Sequence, residues 1–359
     1  MKVLVWQWGR RGGGPRYAVE LAAGLNRVPK VQALLSLAQQ AELLTGPDAP
    51  RCDLPISTYQ GLPGFAWKLA TYPLRVGTLA ARLRTLAPDC AVCAMPGTLD
   101  LWMAAALARV GIPFAVVVHD ADAHPGDGFP MQMALQRQLI ARADALVTLS
   151  AHVADRLREQ GAAGRRPMIV TAHPPRRFGP PPPPPLAHGG PLRLLSFGRL
   201  LPYKGLDLLA GALELLGPRS DLEVRVAGHG PPSPVLDRLR ALPGVSVENR
   251  WVPEHEIGAL VAWSDAMVLS HTEASQSGAA AAAISAGRFV VATRVGGIVE
   301  QLAREPGAIL VEPEAAAIAG GLRRLLERRP DIPPPPDLDG PWAAATVRFA
   351  ADLAACLHI

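Results

Sequence analysis

Residues 176–192 read RRFGPPPPPPLAHGGPL, with six consecutive prolines at 180–185. Proline has no backbone N–H, so such a run continues neither a helix nor a sheet ladder. It forms a semi-rigid extended spacer instead. The same pattern recurs on both sides of this seam: short uninterrupted apolar runs, bounded by Gly and Pro, alternate with stretches of helical period. Before the seam, strands are expected at 3–6, 33–37, 90–94, 113–119, 145–149 and 168–171, with helices at 16–25, 74–86, 101–110 and 152–160. After it, strands are expected at 192–197, 223–227, 245–248, 266–269, 289–292 and 309–311, with helices at 206–215, 235–242 and 315–327. Apolar runs without polar alternation are what strands buried on both faces of a parallel sheet look like. Two successive βα series therefore predict an α/β protein of two doubly wound, Rossmann-like units. The expected division is 1–178, a Pro-rich linker at 179–191, a second unit at 192–336 and a last segment at 337–359. A second proline run at 333–336 precedes the last helix (342–357), which is free to cross back onto the first unit. A protein-binding PxxP reading of either tract stands behind the linker reading.

At 359 residues the chain is long enough for two domains, and 49% hydrophobic against 19% charged residues excludes a disordered protein. The longest apolar stretches, 101–108 and 278–287, end at Arg109 and Arg288, short of the ~20 residues a membrane span needs. The N-terminal MKVLVWQWGRRGGG has too short an apolar core for a signal peptide and reads as a first buried strand. A cytoplasmic location is expected. The net charge of +5 fits an anionic ligand or an anionic membrane surface. Without Lys/Arg runs or interleaved aromatics, nucleic acid is not an expected partner. Cys90 and Cys93 form a CxxC pair, but on a strand residues three apart face opposite ways. No second pair follows, so buried structural thiols are expected.

Four stretches could carry chemistry. Residues 9–15, GRRGGGP, follow the first strand at the start of a helix, where glycines allow close backbone approach and the helix start favours an anion. A nicotinamide or flavin site would need an acidic residue near the end of the second strand, and VQALLSLAQQ has none; a plain tight turn is the other reading. Residues 195–207, LSFGRLLPYKGLD, place Arg199 at a strand end and Lys204 at the next helix start, two cations suited to a diphosphate. A solvated Arg and Lys on a loop is the alternative. Residues 270–297 hold Glu273 in a loop after a strand, while Ser277 and Gly278 open an Ala-rich helix whose first N–H groups suit a phosphate or sugar oxygen. Glu273 could accept from sugar hydroxyls or be an exposed loop acid. His119 and Asp120 close the strand FAVVVHD, at the end where α/β proteins bind ligands. A lone His there is more often structural than catalytic. Asp120 and Asp122 form a DxD that could hold a divalent ion, but neighbouring carboxylates are common and no metal is expected.

Together these features resemble the GT-B glycosyltransferases, specifically the large retaining family called group 1 or family 4. The resemblance covers nearly the whole chain. Its strongest parts are FGRLLPYKG (197–205), AGHGP (227–231), and a block from SDAMVLS at 264 through EASQSG to AGRFVVATRVGGIVE, ending at 300. The resemblance implies a C-terminal unit binding a nucleotide-sugar and an N-terminal unit binding the acceptor. It implies that Arg199 and Lys204 hold the donor diphosphate beside Gly198, Gly228 and Gly230, and that Gly12 and Gly13 form the glycine loop facing it. By the same resemblance His119 is the histidine near the transferred sugar, Glu273 touches sugar hydroxyls, Ser277 and Gly278 offer N–H groups to phosphate, and Val252, in the stretch 250–252, lies where the nucleobase stacks. The family also carries a ribose-binding glutamate, eight residues after the first. Counting five back from Gly287 puts Ala282 there; eight before that is Ala274, so Glu273 fits with a loop one residue longer, and EASQSG resembles a branch in which the second acid is absent.

The expected activity is therefore transfer of a sugar from a nucleoside-diphosphate sugar to a glycan or lipid-linked acceptor, in polysaccharide or glycoconjugate biosynthesis, with no cofactor or metal. A nucleotide-sugar epimerase and a non-catalytic subunit of the same fold are the rival expectations. Phe65, Trp67, Lys68, Tyr72 and Arg75 are expected on one helical segment, which would either pack its aromatics or rest peripherally on an anionic bilayer.

Overall fold

The computed structural model describes residues 1–46, 49–124, 126, 132–175, 177–327 and 337–359. The proline run at 333–336 lies outside them. The chain divides into two compact units, each described by itself: Met1–Asp122 with Phe129–Pro174 and Asp339–Ile359, and Ala123–Gly128 with Pro175–Leu338.

The first unit holds strands β1 (Lys2–Gln7), β2 (Gln32–Leu37), β3 (Cys90–Cys93), β4 (Phe114–Val118), β5 (Ala145–Thr148) and β6 (Met168–Val170). Its helices are α1 (Gly13–Leu25), α2 (Gly61–Ala70), α3 (Tyr72–Leu86), α4 (Asp100–Val110), α5 (Gln132–Arg142) and α6 (Ala151–Glu159). The sheet is parallel, in the order β2-β1-β3-β4-β5-β6. Both faces are covered, and the two-residue period of a strand sorts its side chains between them. Val3 and Val5 enter one core, Leu4 and Trp6 the other. Cys90 and Cys93 divide the same way, both fully buried, as the strand period requires of residues three apart.

The second unit holds β7 (Leu192–Phe197), β8 (Leu222–Gly228), β9 (Val245–Asn249), β10 (Ala266–Leu269), β11 (Phe289–Thr293) and β12 (Ala308–Val311). Helices α7 (Leu206–Leu216), α8 (Pro234–Arg240), α9 (Glu254–Trp263), α10 (Gly278–Ser285), α11 (Gly296–Leu302) and α12 (Ala315–Glu327) flank it. This sheet is also parallel, ordered β12-β11-β10-β7-β8-β9, the doubly wound dinucleotide-fold order. Strand order reverses between β7 and β10 here, and between β1 and β3 in the first unit. Ligands of open α/β sheets bind beyond the carboxyl ends of the strands at that reversal.

The last helix, α13 (Asp339–Leu357), belongs to the first unit. Trp342, Phe349, Leu353 and Leu357 enter its core beside α1. The proline-rich stretch is fastened to the second unit: Arg288 donates to the Pro183 carbonyl (2.8 Å), and buried Asp265 accepts from the N–H of Leu186 and of Arg193 and from His188. A proline run cannot donate to a ladder, but its carbonyls remain acceptors.

One expected element is corrected. Phe65, Trp67 and Lys68 lie on α2 and Tyr72 and Arg75 on α3, with a turn at Thr71 between them. Pro73, in the first turn of α3, favours a helix start there, because a proline has no N–H to give to a helix continuing from α2. No helix among the described residues is long and apolar enough to cross a membrane.

Candidate functional site

In the second unit the chain leaves β7 at Phe197 and passes Gly198 and Arg199. It then makes a 3-10 turn at Pro202–Lys204 and enters α7 after Gly205. This turn sits directly on the end of β10. The Ser270 hydroxyl donates to the Lys204 carbonyl (2.8 Å), and the Thr272 N–H donates to the Tyr203 carbonyl (2.9 Å). A Cβ on Gly205 would stand 1.9 Å from the Ser270 carbonyl oxygen, so only glycine allows this approach. The same reason fixes Gly228 and Gly230 after β8, where added Cβ atoms would lie 1.6 Å from the Gly198 oxygen and 2.1 Å from the Leu200 oxygen. Both are thereby structural supports of the turn that carries Arg199.

Arg199, Leu200 and Lys204 from the turn, with Ser270 and His271 from the end of β10, line a shallow notch at the strand-order reversal. Lys204 Nζ lies 2.8 Å from His271 Nε2. An ammonium only donates, so the imidazole nitrogen facing it accepts, and His271 is the neutral partner. Burial pushes the His271 pKa well below its usual value, and the Lys204 charge pushes it the same way. Lys204 also stands 5.2 Å from the centre of the Tyr203 ring. The Tyr203 hydroxyl accepts from Arg199 Nη2 at 3.2 Å, and its ring stacks on His124 with centroids 4.5 Å apart. His124 Nδ1 in turn lies 3.4 Å from Glu273 Oε1. The fold thus brings Arg199, Lys204 and Glu273 together through Tyr203, His271 and His124. His271 carried a signal, since it follows the apolar run of β10 where the chain turns at a ligand-binding strand end.

Other expected site residues hold different positions. Ser277 caps α10, its hydroxyl accepting from the Ala280 N–H, and its own N–H goes to Gln301 Oε1 at 3.0 Å. Gln301 also donates to the Ser277 carbonyl (3.0 Å). This corrects the expectation that Ser277 offers its N–H to phosphate; that amide is already bonded, and Gly278 supplies a first-turn N–H of α10. Val252 is buried in the core cluster on one face of the sheet, while neighbouring Trp251 is partly exposed. Ala282 is buried along the Ala-rich face of α10.

In the first unit, Gly12 precedes α1 with φ 82°, and Gly13 opens that helix. His119, at the end of β4, is buried and stands 2.7 Å by Nε2 from the Ala94 carbonyl oxygen. A carbonyl only accepts, so that nitrogen carries a proton. The edge of Tyr17 meets the ring at 5.0 Å, and burial pushes the Tyr17 phenol up. In the DxD stretch, the Asp122 carboxylate accepts from Arg156 Nε and Gln160 Nε2, both at 2.7 Å. A second carboxylate, Asp100, lies wholly buried and accepts from Trp6 Nε1, the Gly97 N–H and Cys93 Sγ. Burial raises its pKa to about 6.

Two family models match the chain. One described as "Glycosyl transferases group 1" covers residues 191–328, and one described as "Glycosyl transferase 4-like domain" covers 12–174. No curated protein matches by sequence. Among solved structures, the fold is similar to Anabaena Alr3699/HepE in complex with UDP and glucose (17% identity, 100% of this chain and 97% of that one, TM-score 0.67). It is similar to sucrose-phosphate synthase from Thermosynechococcus elongatus (14%, 99% and 96%, 0.67). It is similar also to UDP-GlcNAc 2-epimerase from Neisseria meningitidis bound to UDP-GlcNAc (14%, 99% and 100%, 0.61).

Proposed function

The chain belongs to the GT-B glycosyltransferases, and on that premise we propose that it moves a sugar, with retention at the anomeric carbon, from a nucleoside-diphosphate donor to a hydroxyl of a glycan or lipid-linked acceptor. The observation that carries this reading is the notch in the second unit. Arg199 and Lys204 converge there at a strand-order reversal, beyond the carboxyl ends of a parallel sheet, where two cations suit a diphosphate.

In the reaction the bond between the anomeric carbon and the diphosphate oxygen breaks, and negative charge develops on the leaving diphosphate. Two fixed cations stabilise that charge more than they stabilise the ground state, which is how they accelerate departure. The acceptor oxygen forms the new bond from the same face, and its proton passes to the leaving diphosphate oxygen. The nucleotide-bearing neighbours support a nucleotide-sugar donor. Glu273 orients sugar hydroxyls, and His124, 3.4 Å from it, sets its position.

The test is a thermal-shift panel of UDP, GDP, ADP and dTDP on the wild type and on Arg199→Gln and Lys204→Gln. One nucleotide should stabilise the wild type, and each variant should lose most of that shift; equal shifts in all three proteins would remove the diphosphate reading. The similarity to an epimerase structure favours one second reading, isomerisation of the donor with no acceptor. Incubation with the nucleotide-sugar alone separates the two, because only an epimerase accumulates a new nucleotide-sugar.

A further inference from the structure

The first unit carries a groove enclosing about 970 Å³ of space open to solvent. One wall is a single face of α3, where Arg75, Thr78 and Arg82 recur at helical spacing after Thr71, the residue that precedes the helix; the opposite wall includes Trp8, just after β1, and Trp102 on α4. The groove therefore opens beside the carboxyl ends of β1 and β2, on the side of the sheet where α/β proteins take ligands.

We propose that this groove binds a phosphate-bearing amphiphile, with the anionic head against Arg75 and Arg82 and the apolar body on Trp8, Trp102 and Leu74. The charge pattern is the first argument. Arg75 Nε donates to Thr71 Oγ1 (2.6 Å), Arg82 to the Pro55 carbonyl (3.3 Å), and the buried Lys68 ammonium to the Ser57 carbonyl (2.8 Å). All three partners are neutral oxygens, and among the described residues no carboxylate pairs with any of the three cations. Arg75 and Arg82 each retain N–H donors beyond the one bonded, in the planar fork that matches a phosphate. Burial and the Arg75 charge both hold the Lys68 pKa below its usual value, so the cations feel one another. Gathering like charges is unfavourable unless an anion joins them.

The second argument is the apolar surface at the same place. Leu74 lines the groove and is 77% exposed, and the otherwise buried Trp8 and Trp102 line it as well. A small anion would leave the Leu74 side chain in water, whereas an apolar chain attached to the phosphate covers it. That the bound molecule is the glycosyl acceptor rests on the transferase reading above; the binding itself does not.

The test titrates the full chain with decyl phosphate below its micellar concentration, followed by tryptophan fluorescence, against decyl alcohol and inorganic phosphate. The wild type should bind decyl phosphate at least about tenfold tighter than either. Arg75→Gln combined with Arg82→Gln should lose about tenfold or more, and Arg75→Lys with Arg82→Lys should lose less, because it keeps the charge but not the planar fork. UDP thermal shifts on the same proteins read the second unit independently. Unchanged UDP shifts in the Gln pair with lost decyl phosphate binding support the groove. Absent UDP shifts in the wild type with decyl phosphate still bound would sink the donor reading and leave the groove standing. Equal decyl phosphate binding by wild type and Gln pair, equal binding of decyl alcohol, or inorganic phosphate bound as tightly overturns the proposal.

Discussion

Both units place a glycine-rich turn directly after the first strand of a parallel sheet, and they furnish it differently. In the first unit the turn at 9–15 is held by side-chain amide and carbonyl contacts: the Gly9 N–H donates to Gln7 Oε1, and the Arg10 guanidinium donates to the Tyr59 carbonyl. In the second, the turn at 198–205 carries Arg199 and Lys204, and backbone lies directly against backbone. Equivalent topology thus supplies a place for a ligand, while the side chains decide its charge. The surroundings differ as well. A neutral buried imidazole, His271, stands behind the second turn, whereas the buried titratable acid of the first unit, Asp100, is bonded to an indole, an amide and a thiol.

The largest expected effect falls on the charged turn. Lys204→Ala or Arg199→Ala should each lower turnover by about 10²–10³, the usual loss when one stabilising donor at a developing charge is removed. Thermal midpoints should stay near wild type, since neither side chain is buried in the core. Steady-state kinetics with the donor identified by the nucleotide panel measures this, and full activity in both variants would break the contrast between the turns.

Next come the glycines, because an added methyl meets different neighbours. In Gly228→Ala it meets the Gly198 backbone at 1.6 Å, which cannot yield without moving the turn, and a loss of about 3 kcal/mol or more is expected. In Gly9→Ala it meets the end of the Gln7 side chain at 2.9 Å, which can swing aside, for a loss of about 1 kcal/mol. Urea denaturation ranks the two, and equal losses would show that the second turn is no more tightly built than the first.

The finest distinction is in pH dependence, where the buried groups act with opposite sign. His271 has its folded pKa depressed below the unfolded value of about 6.5, so below that pH the unfolded chain takes up a proton the folded one refuses. Its contribution to stability is therefore lost as pH falls, and His271→Gln should flatten that decline. Asp100 has its folded pKa raised to about 6, so between its unfolded value and pH 6 the folded chain holds the extra proton. Relative to Asp100→Asn, the wild type should lose stability as pH rises through 6, by on the order of 3 kcal/mol. Urea midpoints from pH 4.5 to 7.5 on the three proteins test both signs.

Legibility in the sequence followed the range of the interaction. Every strand was readable to within about a residue or two at each end, because a strand covered on both faces writes its burial as one unbroken apolar run. Arg199, Lys204 and Glu273 were readable as candidates from residue type at strand ends and helix starts. The break between α2 and α3 was written in Pro73 and was overridden by the aromatic and basic pattern around it. Ser277 was read correctly as a helix start, but Gln301, which takes up its amide, lies 24 residues away and left no mark near it.

The amino-acid sequence by itself determined two parallel-sheet units, the seam between their strand series and the identity of the charged turn, all of which depend on neighbours within a few positions. Only the tertiary structure decided that His271 stands behind Lys204, 67 residues away, that the proline stretch is fastened by Asp265 and Arg288, and that Arg75 and Arg82 line one groove with no carboxylate paired to either among the described residues. Such pairings arise when strand order and helix packing carry distant segments to one place, and no local propensity encodes which segments those will be.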